Sequence, residues 1–213
     1  MEIKRFIFNP FQENTYVLSN EEKECIVIDP GCLFDEECDR LVDYIRQNGL
    51  HLTHILLTHL HLDHIFGCKR LHDEFGVLPE AHKADEFLLE LFPAQMKMFG
   101  LMEDKETVPL KGYLTDGETI QFGTSEWHVI HTPGHSPGGL CFYSPQERVL
   151  FSGDTLFQCS VGRSDLSGGN GHILVQSIKE KLLILPEFTT VYPGHGPETS
   201  IEFESANNPF IQA

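Results

Sequence analysis

The stretch Thr58–His64 constrains this chain more than any other part of its sequence. It places three histidines and one aspartate within six residues, directly after an apolar run. Neutral imidazole and carboxylate together form the ligand set that suits zinc, iron or manganese. An apolar run followed by such residues is typical of a strand that ends at a metal site. The spacing predicts that His59 and His61 converge on one ion, while Asp63 and His64 face a second ion.

Three further ligand-type residues lie downstream, each in a turn rich in glycine or proline that follows an apolar run. They are His135, Asp154 and His195, and upstream Asp29 follows an apolar run in the same way. Glycine relaxes the backbone at such points, so that a side chain can project from the rim of a sheet. The repeated pattern indicates one site built at strand ends. For Asp29 two interpretations stay open, a plain turn residue and an acid that orients a ligand imidazole.

Apolar periodicity predicts an α/β protein built in layers. Strand-like runs occur in both halves of the chain, at 3–8, 14–19, 24–29, 53–58, 118–122, 126–131, 139–144, 148–152 and 189–192. Helical patterns occur at 35–48, at about 63–75, and in a late segment whose buried face is expected to carry Leu174, Ile178, Leu182 and Leu185. Strands followed by helices, twice over, indicate two sheets back to back with helices outside. A chain of 213 residues is long enough for one such domain, which we expect to span 1–213.

On these motifs the chain resembles the metallo-β-lactamase-fold hydrolases, over about residues 6–210. It is similar to the short bacterial members of their glyoxalase II-like branch, in Asp154, in the string 162–169 and in the residues around His195. The resemblance implies an αββα sandwich, with two mixed sheets and helices outside. Full-length glyoxalase II carries a C-terminal helical domain that supplies much of its glutathione site. The 18 residues after His195 are too few for that domain, so we expect none.

The resemblance also implies two divalent metal ions, with zinc expected and iron or manganese as alternatives. The implied ligands form one set for each ion plus a shared carboxylate: His59, His61 and His135; Asp63, His64 and His195; and Asp154. Asp29 would stand behind the ligands. Asp63 could also act in catalysis, by orienting the nucleophile or carrying its proton.

Two ions that share a carboxylate can hold a hydroxide between them at neutral pH, so we expect a metal-dependent hydrolase that uses this hydroxide. A thiolate leaving group binds zinc or iron well, which favours small thioesters such as S-lactoylglutathione. The main alternative is a mononuclear iron persulfide dioxygenase, followed by a lactonase and by a non-catalytic metal-binding domain. Lactam hydrolysis ranks low, because Asp154 is typical of the hydrolase branch and a secreted β-lactamase would need a signal peptide.

Charge and hydropathy narrow the expected partners. With 15 Lys plus Arg against 32 Asp plus Glu, the formal net charge is −17, so nucleic-acid substrates are not expected. No apolar run approaches the ~18 residues that cross a bilayer, and the first residues have no apolar signal core. We therefore expect a cytoplasmic protein that acts on a small molecule. The sequence does not indicate its oligomeric state.

Three features near these motifs carry separate expectations. Arg163 and Asp165 could form an ion pair that shapes their loop, or Arg163 could bind a substrate carboxylate. The methionine-rich segment from Pro93 to Pro109 is expected to be an ordinary packed connection, with a lid as the alternative. The six cysteines contain no CxxC pair and are expected to be reduced core thiols, although Cys159 lies close to the proposed site.

Overall fold

Six strands lie side by side in chain order in the first of two mixed sheets. They are β1 (Glu2–Phe8), β2 (Glu13–Ser19), β3 (Glu24–Ile28), β4 (His51–Leu56), β5 (Pro79–Ala81) and β6 (Gly112–Tyr113). β1, β2 and β3 form an antiparallel meander, and β3 to β6 run parallel. Because β3 and β4 are parallel neighbours, the residues that follow them leave the sheet at the same edge. This computed structural model describes residues 1–101 and 105–212, which divide into two compact units, Met1–Tyr113 and Leu114–Ala213.

Among the described residues, four α-helices accompany this sheet: α1 (Asp35–Gln47), α2 (Leu62–Ile65), α3 (Cys68–Phe75) and α4 (Phe87–Met98). Three acids occupy the first turn of α1, where the helix dipole stabilises negative charge. One of them, Glu37, accepts hydrogen bonds from the backbone N–H groups of Leu33 and Phe34 and so caps the helix. The buried stripe of α1 is the predicted one: Cys38, Leu41, Val42 and Ile45.

An apolar core fills the space between the first sheet and its helices. Val17, Val27 and Ile55 project from neighbouring strands into this core, where Leu41 and Leu71 of the helices also lie, and none of the five is more than 1% exposed. Burial of one such side chain contributes about 1.5–3 kcal/mol. The ends of β3 and β4 are therefore held by a rigid, dry layer.

The single helix predicted at about 63–75 is wrong, because Phe66 and Gly67 separate α2 from α3. The backbone N–H of Gly67 donates to the carbonyl oxygen of Pro30 at 2.7 Å instead of to the preceding helical turn. A Cβ at Gly67 would overlap Sγ of Cys32. The close approach of the Pro30–Cys32 loop thus interrupts the helix, and a periodicity argument cannot anticipate that contact.

The second unit contains another six-stranded mixed sheet and a small hairpin. Its strands are β7 (Thr119–Phe122), β8 (Ser125–His131), β9 (Leu140–Ser144), β10 (Val149–Gly153), β13 (Thr190–Pro193) and β14 (Thr199–Ser200), and the hairpin consists of β11 (Leu156–Phe157) and β12 (Ser160–Val161). The sheet order is β14-β13-β10-β9-β8-β7, and β10 and β13 are parallel. The residues after these two strands therefore emerge together.

The late helical segment of this unit is shorter and less regular than predicted. α5 (Gly171–Ser177) leads into a π-helical turn at Ile178–Leu182, and α6 (Ile201–Asn207) follows β14. The predicted face is nevertheless buried, since Leu174, Ile178 and Leu182 are 0% exposed and Leu185 packs against them in part.

The predicted fold class, α/β with two mixed sheets and helices, is confirmed. The predicted strand boundaries agree with the observed ones to within two residues. The single domain over 1–213 stays a prediction, because the structure divides into two units. Five short strands were not predicted, since two or three residues cannot display alternation. Among the described residues, no helix is both long and apolar enough to span a bilayer.

The cysteines and the methionine-rich segment are partly as expected. Five of the six cysteines are buried, and Cys159 is exposed. In the segment from Pro93 to Pro109, Met96 is buried at the end of α4 whereas Met98 is 71% exposed. Met102 lies outside the described residues, and a lid function stays an untested alternative.

Candidate metal centre

The first unit gathers three buried imidazoles directly after β4. His59, His61 and His64 are 2%, 5% and 0% exposed. The ring centroid of His59 lies 4.7 Å from that of His61 and 4.1 Å from that of His64. Asp63 lies in the first turn of α2 beside them, with its Oδ2 3.8 Å from Nε2 of His64. The stretch His59–His64 therefore brings three imidazoles and one carboxylate close together.

Asp29 lies behind this cluster and holds it in place. Its Oδ1 accepts a hydrogen bond from the backbone N–H of Thr58 at 2.7 Å, and its Oδ2 accepts one from Oγ1 of Thr58 at 2.6 Å. The same Oδ2 lies 3.0 Å from Nδ1 of His64. Asp29 reaches these groups because it adopts a left-handed backbone conformation, with φ of 49°, at the end of β3. Of the two interpretations of Asp29, the orienting acid matches this geometry.

These contacts determine which ring nitrogen of His59 and of His64 carries the lone pair. A carboxylate only accepts hydrogen bonds, so Nδ1 of His64 carries a hydrogen and donates a hydrogen bond to Asp29. Oγ1 of Thr58 gives its own hydrogen to Asp29, so at its 3.1 Å contact with Nδ1 of His59 it acts as acceptor. In both imidazoles the lone pair is therefore on Nε2. One ligand atom from each of Asp29, His59 and His64 lies within 4.8 Å of the others.

The second unit gathers its three predicted ligands in the same manner. Asp154 follows β10, His195 follows the parallel neighbour β13, and His135 lies in the turn after β8. Oδ2 of Asp154 lies 3.5 Å from Nε2 of His135 and 3.6 Å from Nε2 of His195. A single carboxylate oxygen is thus placed between two imidazole nitrogens. The ring of Phe157 lies nearly perpendicular to the ring of His195, with 6.3 Å between the ring centroids.

His135 is oriented by a backbone group. Its Nδ1 donates to the carbonyl oxygen of Arg163 at 2.6 Å, which leaves the lone pair on Nε2, the atom that faces Asp154. Gly162 permits this approach, because a Cβ there would overlap the carbonyl oxygen of Asp154 and lie 3.1 Å from Nδ1 of His135. Gly134 is equally constrained, with φ of 137° and no room for a Cβ against the backbone of Leu174.

The ion pair between Arg163 and Asp165 is present in the structure. The guanidinium donates from Nε and from one terminal nitrogen to the two carboxylate oxygens, both at 2.8 Å. These hydrogen bonds from Arg163 lower the pKa of the Asp165 carboxyl to about 2. The two side chains are 60% and 70% exposed, so the pair shapes the loop but contributes little to stability. Binding of a substrate carboxylate by Arg163 stays a prediction.

Several residues that support the ligands carry no recognisable sequence signal. Thr58 contacts Asp29 and His59, and the carbonyl group of Arg163 accepts one hydrogen bond from His135. Asp85 is 0% exposed in a 3₁₀ turn, and its Oδ2 accepts the backbone N–H of Leu60, between two of the histidines, at 3.4 Å. A buried acid 25 residues from its partner has no local pattern, so only the fold reveals it.

The residues present fit a divalent metal ion. The carboxylate-to-imidazole separations of 3.5, 3.6 and 3.8 Å exceed a good hydrogen bond. They are close to the roughly 3.3–3.4 Å between two ligands that each lie about 2.0–2.1 Å from one tetrahedral ion. Histidines held with Nδ1 protonated and Nε2 directed at carboxylate oxygens form the donor set of such a centre.

Two mixed sheets whose parallel strand ends carry these histidine and aspartate clusters define an α/β protein suited to binding divalent metal ions. The chain belongs to the Metallo-beta-lactamase superfamily, which it matches over residues 8–195. It is 35% identical to hydroxyacylglutathione hydrolase GloC of Haemophilus influenzae, over 100% of this chain and 99% of that protein.

Solved structures of similar proteins agree with this assignment. The structure of BLEG-1 B3 metallo-beta-lactamase superposes with a TM-score of 0.90 at 39% identity and covers 100% of both chains. The structure of TTHA1623 in a di-iron-bound form superposes with a TM-score of 0.86 at 37% identity, over 97% of this chain and 99% of that chain. The fold expected from the resemblance is therefore confirmed.

Proposed function

We propose that this protein is a metal-dependent hydrolase that acts on small thioesters with two divalent metal ions in its site. The observation that best supports a shared pair of ions is the placement of Asp154 between His135 and His195, at 3.5 and 3.6 Å from their Nε2 atoms. A single oxygen at nearly equal distances from two ligand nitrogens suits a carboxylate that two ions share.

The proposed ligand assignment follows the family resemblance. It consists of His59, His61 and His135 for one ion, Asp63, His64 and His195 for the other, and Asp154 for both. Zinc is the expected metal, and the di-iron form of TTHA1623 makes iron the main alternative. The tautomers fixed by Asp29 and by the Arg163 carbonyl support this assignment, because they leave Nε2 of His64 and His135 as the ligand atom.

When bound, the ions would supply a water with its pKa lowered toward about 7 and an electrophile for the substrate carbonyl. The protein's own part is to position the reacting groups and to move protons. Asp63 has a side chain that is 14% exposed, so it can meet both solvent and substrate. We assign it the role of orienting the attacking water and accepting its proton. His59, His61 and His64 are at most 5% exposed, so water screens the electrostatic interactions among them only weakly.

Thioesters are proposed as substrates on two grounds. A soft thiolate leaving group is a good partner for zinc or iron. The relative named hydroxyacylglutathione hydrolase is similar along its whole length, which makes an S-acyl thiol the first substrate to try. Recognition of the thiol carrier is proposed to be modest, with Arg163 as one anchor for a carboxylate.

Lactam hydrolysis is the second candidate, because a structure named as a B3 metallo-beta-lactamase matches both chains completely at 39% identity. It differs from the first candidate in the bond cleaved and shares the same metal site. The mononuclear persulfide dioxygenase is not favoured by the comparisons. All three reactions can be distinguished in one set of assays.

The test is metal analysis coupled to a substrate panel. Protein purified without chelator should contain close to two ions per chain, and should release thiol from S-lactoylglutathione or another small S-acyl thiol. Protein treated with chelator should lose this activity and regain it when zinc, iron or manganese is added. Turnover of nitrocefin with no thiol release would favour the lactamase. One ion per chain with persulfide-dependent oxygen uptake would overturn the hydrolase proposal.

A further inference from the structure

A fully buried glutamate lies in the first unit, although it is neither a proposed metal ligand nor a member of the apolar core. Glu13 begins β2 and is 0% exposed. Its Oε2 contacts Oγ1 of Thr15 at 2.8 Å, whereas within the described residues its Oε1 has no hydrogen-bond partner. A Cβ at Gly31 would overlap Oε2 of Glu13, so the glycine in this loop makes room for the acid. A buried carboxyl group with a single contact needs a physical reason.

The hydroxyl of Thr15 is the link between Glu13 and the loop that follows β3. Oγ1 of Thr15 lies 2.8 Å from the carbonyl oxygen of Asp29 and 2.9 Å from the backbone nitrogen of Gly31. These two groups flank Pro30, so one side chain fastens both sides of the turn. The turn needs fastening, because Asp29 has a φ of 49°, which is unfavourable for a residue other than glycine.

Counting hydrogens indicates the protonation state of Glu13. A hydroxyl group has one hydrogen to donate and two lone pairs that accept. The N–H of Gly31 donates to Thr15, and the single hydrogen of Thr15 then has two acceptors in reach, the carbonyl oxygen of Asp29 and Oε2 of Glu13. The carbonyl oxygen can never donate, so both contacts are hydrogen bonds only when the hydrogen of Thr15 goes to Asp29. The contact of 2.8 Å with Glu13 is then satisfied only if Glu13 itself donates. With a neutral carboxylic acid at position 13, each of the three contacts of the Thr15 hydroxyl is a hydrogen bond.

The electrostatic surroundings agree with this count. Burial raises the pKa of Glu13 well above its ordinary value, the carboxylates of Asp29 and Asp63 add to that rise, and His64 opposes it. An ionised Glu13 would be a desolvated charge with one hydrogen bond, which is a costly arrangement.

We propose that Glu13 and Thr15 are positioning residues for the metal centre: Glu13 donates to Thr15, Thr15 holds the turn at Asp29 and Gly31, and the turn aims the Asp29 carboxylate at Thr58 and His64. The chain of contacts runs from Glu13 to Nδ1 of His64 without interruption. Glu13 and Thr15 touch neither substrate nor metal in this scheme. The functional role of these residues rests on the proposed metal centre. The contacts from Glu13 to His64 themselves involve protein atoms only.

The experiment compares paired variants at both positions. Glu13→Gln keeps a neutral donor of the same size, and Thr15→Ser keeps the hydroxyl. Glu13→Met and Thr15→Val remove the donor and the hydroxyl with little change in volume. Thr189→Val is the matched control, because Thr189 is a buried threonine whose Oγ1 has no hydrogen-bond partner within the described residues.

Two readouts separate positioning from folding. The first is the affinity for zinc in chelator competition, where residues that orient ligands typically contribute about 10–100-fold. We expect about a tenfold loss or more for Glu13→Met and Thr15→Val, and changes within about threefold for Glu13→Gln, Thr15→Ser and the control. The second is the NMR signal of the Nδ1 proton of His64 in metal-free protein, assigned with His64→Gln. It should persist in the conservative variants and disappear in the disruptive ones.

Each result is decisive. Wild-type zinc affinity and an unchanged His64 signal in Thr15→Val would overturn the inference, and this nearly isosteric variant serves alone if Glu13→Met does not fold. A Glu13→Gln variant as weak as Glu13→Met would show that Glu13 acts as an anion, contrary to the proposal. Failure of the wild-type protein to bind any divalent metal would contradict the proposed function. The NMR signal of the His64 Nδ1 proton in metal-free protein would still test the contacts from Glu13 to His64.

Discussion

The carbonyl oxygen of Arg163 accepts a hydrogen bond from Nδ1 of His135 across 2.6 Å. Arg163 therefore supports the candidate site through its backbone carbonyl group. Its charged guanidinium, which the sequence suggests as a substrate anchor, is exposed and paired with Asp165. The approach depends on Gly162, because its α-carbon passes directly beside the backbone of Asp154.

The first prediction is that Gly162→Ala weakens metal binding. The added methyl group would overlap the carbonyl oxygen of Asp154, so the loop must move and take the Arg163 carbonyl away from His135. Overpacking of this kind costs about 1–3 kcal/mol of stability. Gly112→Ala is the control, since nothing lies within 4 Å of a Cβ there. Chelator competition and urea denaturation should show a loss in Gly162→Ala and wild-type values in Gly112→Ala. Equal metal affinity in both variants would contradict the role assigned to this loop.

The second prediction is that Asp29→Asn weakens metal binding by about 10–100-fold. The amide oxygen can still accept from the N–H of Thr58, but the amide nitrogen would face the hydroxyl of Thr58 and the Nδ1 proton of His64. The amide N–H groups would then face hydrogen-bond donors at the position where Oδ2 of Asp29 now accepts from Thr58 and His64. The check is the zinc dissociation constant in chelator competition.

A matched control separates charge removal from loss of the ligand support. Asp116 also accepts from a backbone N–H, that of His131 at 2.6 Å, and it pairs with Lys181 at 2.9 Å. Asp116→Asn should therefore disturb local hydrogen bonds as much and leave zinc affinity near the wild-type value. Similar losses in the two variants would mean that Asp29 acts only through folding.

The sequence predicts the longer strands and every candidate ligand, for physical reasons. Runs of apolar residues specify the strands, and His59, Asp154 and His195 each follow one in a turn that lets the side chain project. The core that holds these turns depends only on apolar residues at regular spacing.

The support around the ligands could not be predicted, because it depends on contacts between distant segments. Gly67 interrupts a helix only because Pro30 and Cys32 approach it. The interaction of Glu13 with the turn at Asp29 requires the register of β2 and β3, in which Tyr16 pairs with Ile28. A lone glutamate in the sequence carries no sign of that pairing.

The third prediction concerns the exposed pair of Arg163 and Asp165. If Arg163 anchors a substrate carboxylate, Arg163→Ala should raise KM for S-lactoylglutathione with little change in kcat, because the contact is made equally in substrate and transition state. Asp165→Asn should lower the same KM, since it releases the guanidinium from a competing carboxylate. Steady-state kinetics on both variants is the measurement. Unchanged KM values with a small loss of stability would assign the pair to loop structure alone.

The fourth prediction is the pH dependence of that pair. Because Arg163 lowers the pKa of Asp165 from 3.8 to about 2, the folded state holds this proton less tightly than the unfolded state. The stabilisation is complete above the ordinary pKa and is lost as the pH falls through the folded pKa. Thermal unfolding of wild type and Asp165→Asn should differ slightly at pH 5 and converge between about pH 4 and pH 2. A difference that grows toward low pH would contradict the direction of the shift.

The last prediction is that Asp154→Asn costs far more activity than stability. The carboxylate lies 3.5 and 3.6 Å from two imidazole nitrogens, so losing its charge removes the one group that both ions are proposed to share. Loss of a metal-activated nucleophile can cost many powers of ten in rate, whereas the core around Leu150 and Val191 is untouched. We expect Asp154→Asn to bind fewer than two ions per chain, to lose nearly all thioesterase activity and to unfold near the wild-type denaturant midpoint. Asp116→Asn is again the control and should keep two ions and full turnover. If Asp154→Asn retained both ions and near-normal turnover, Asp154 would not be the shared ligand.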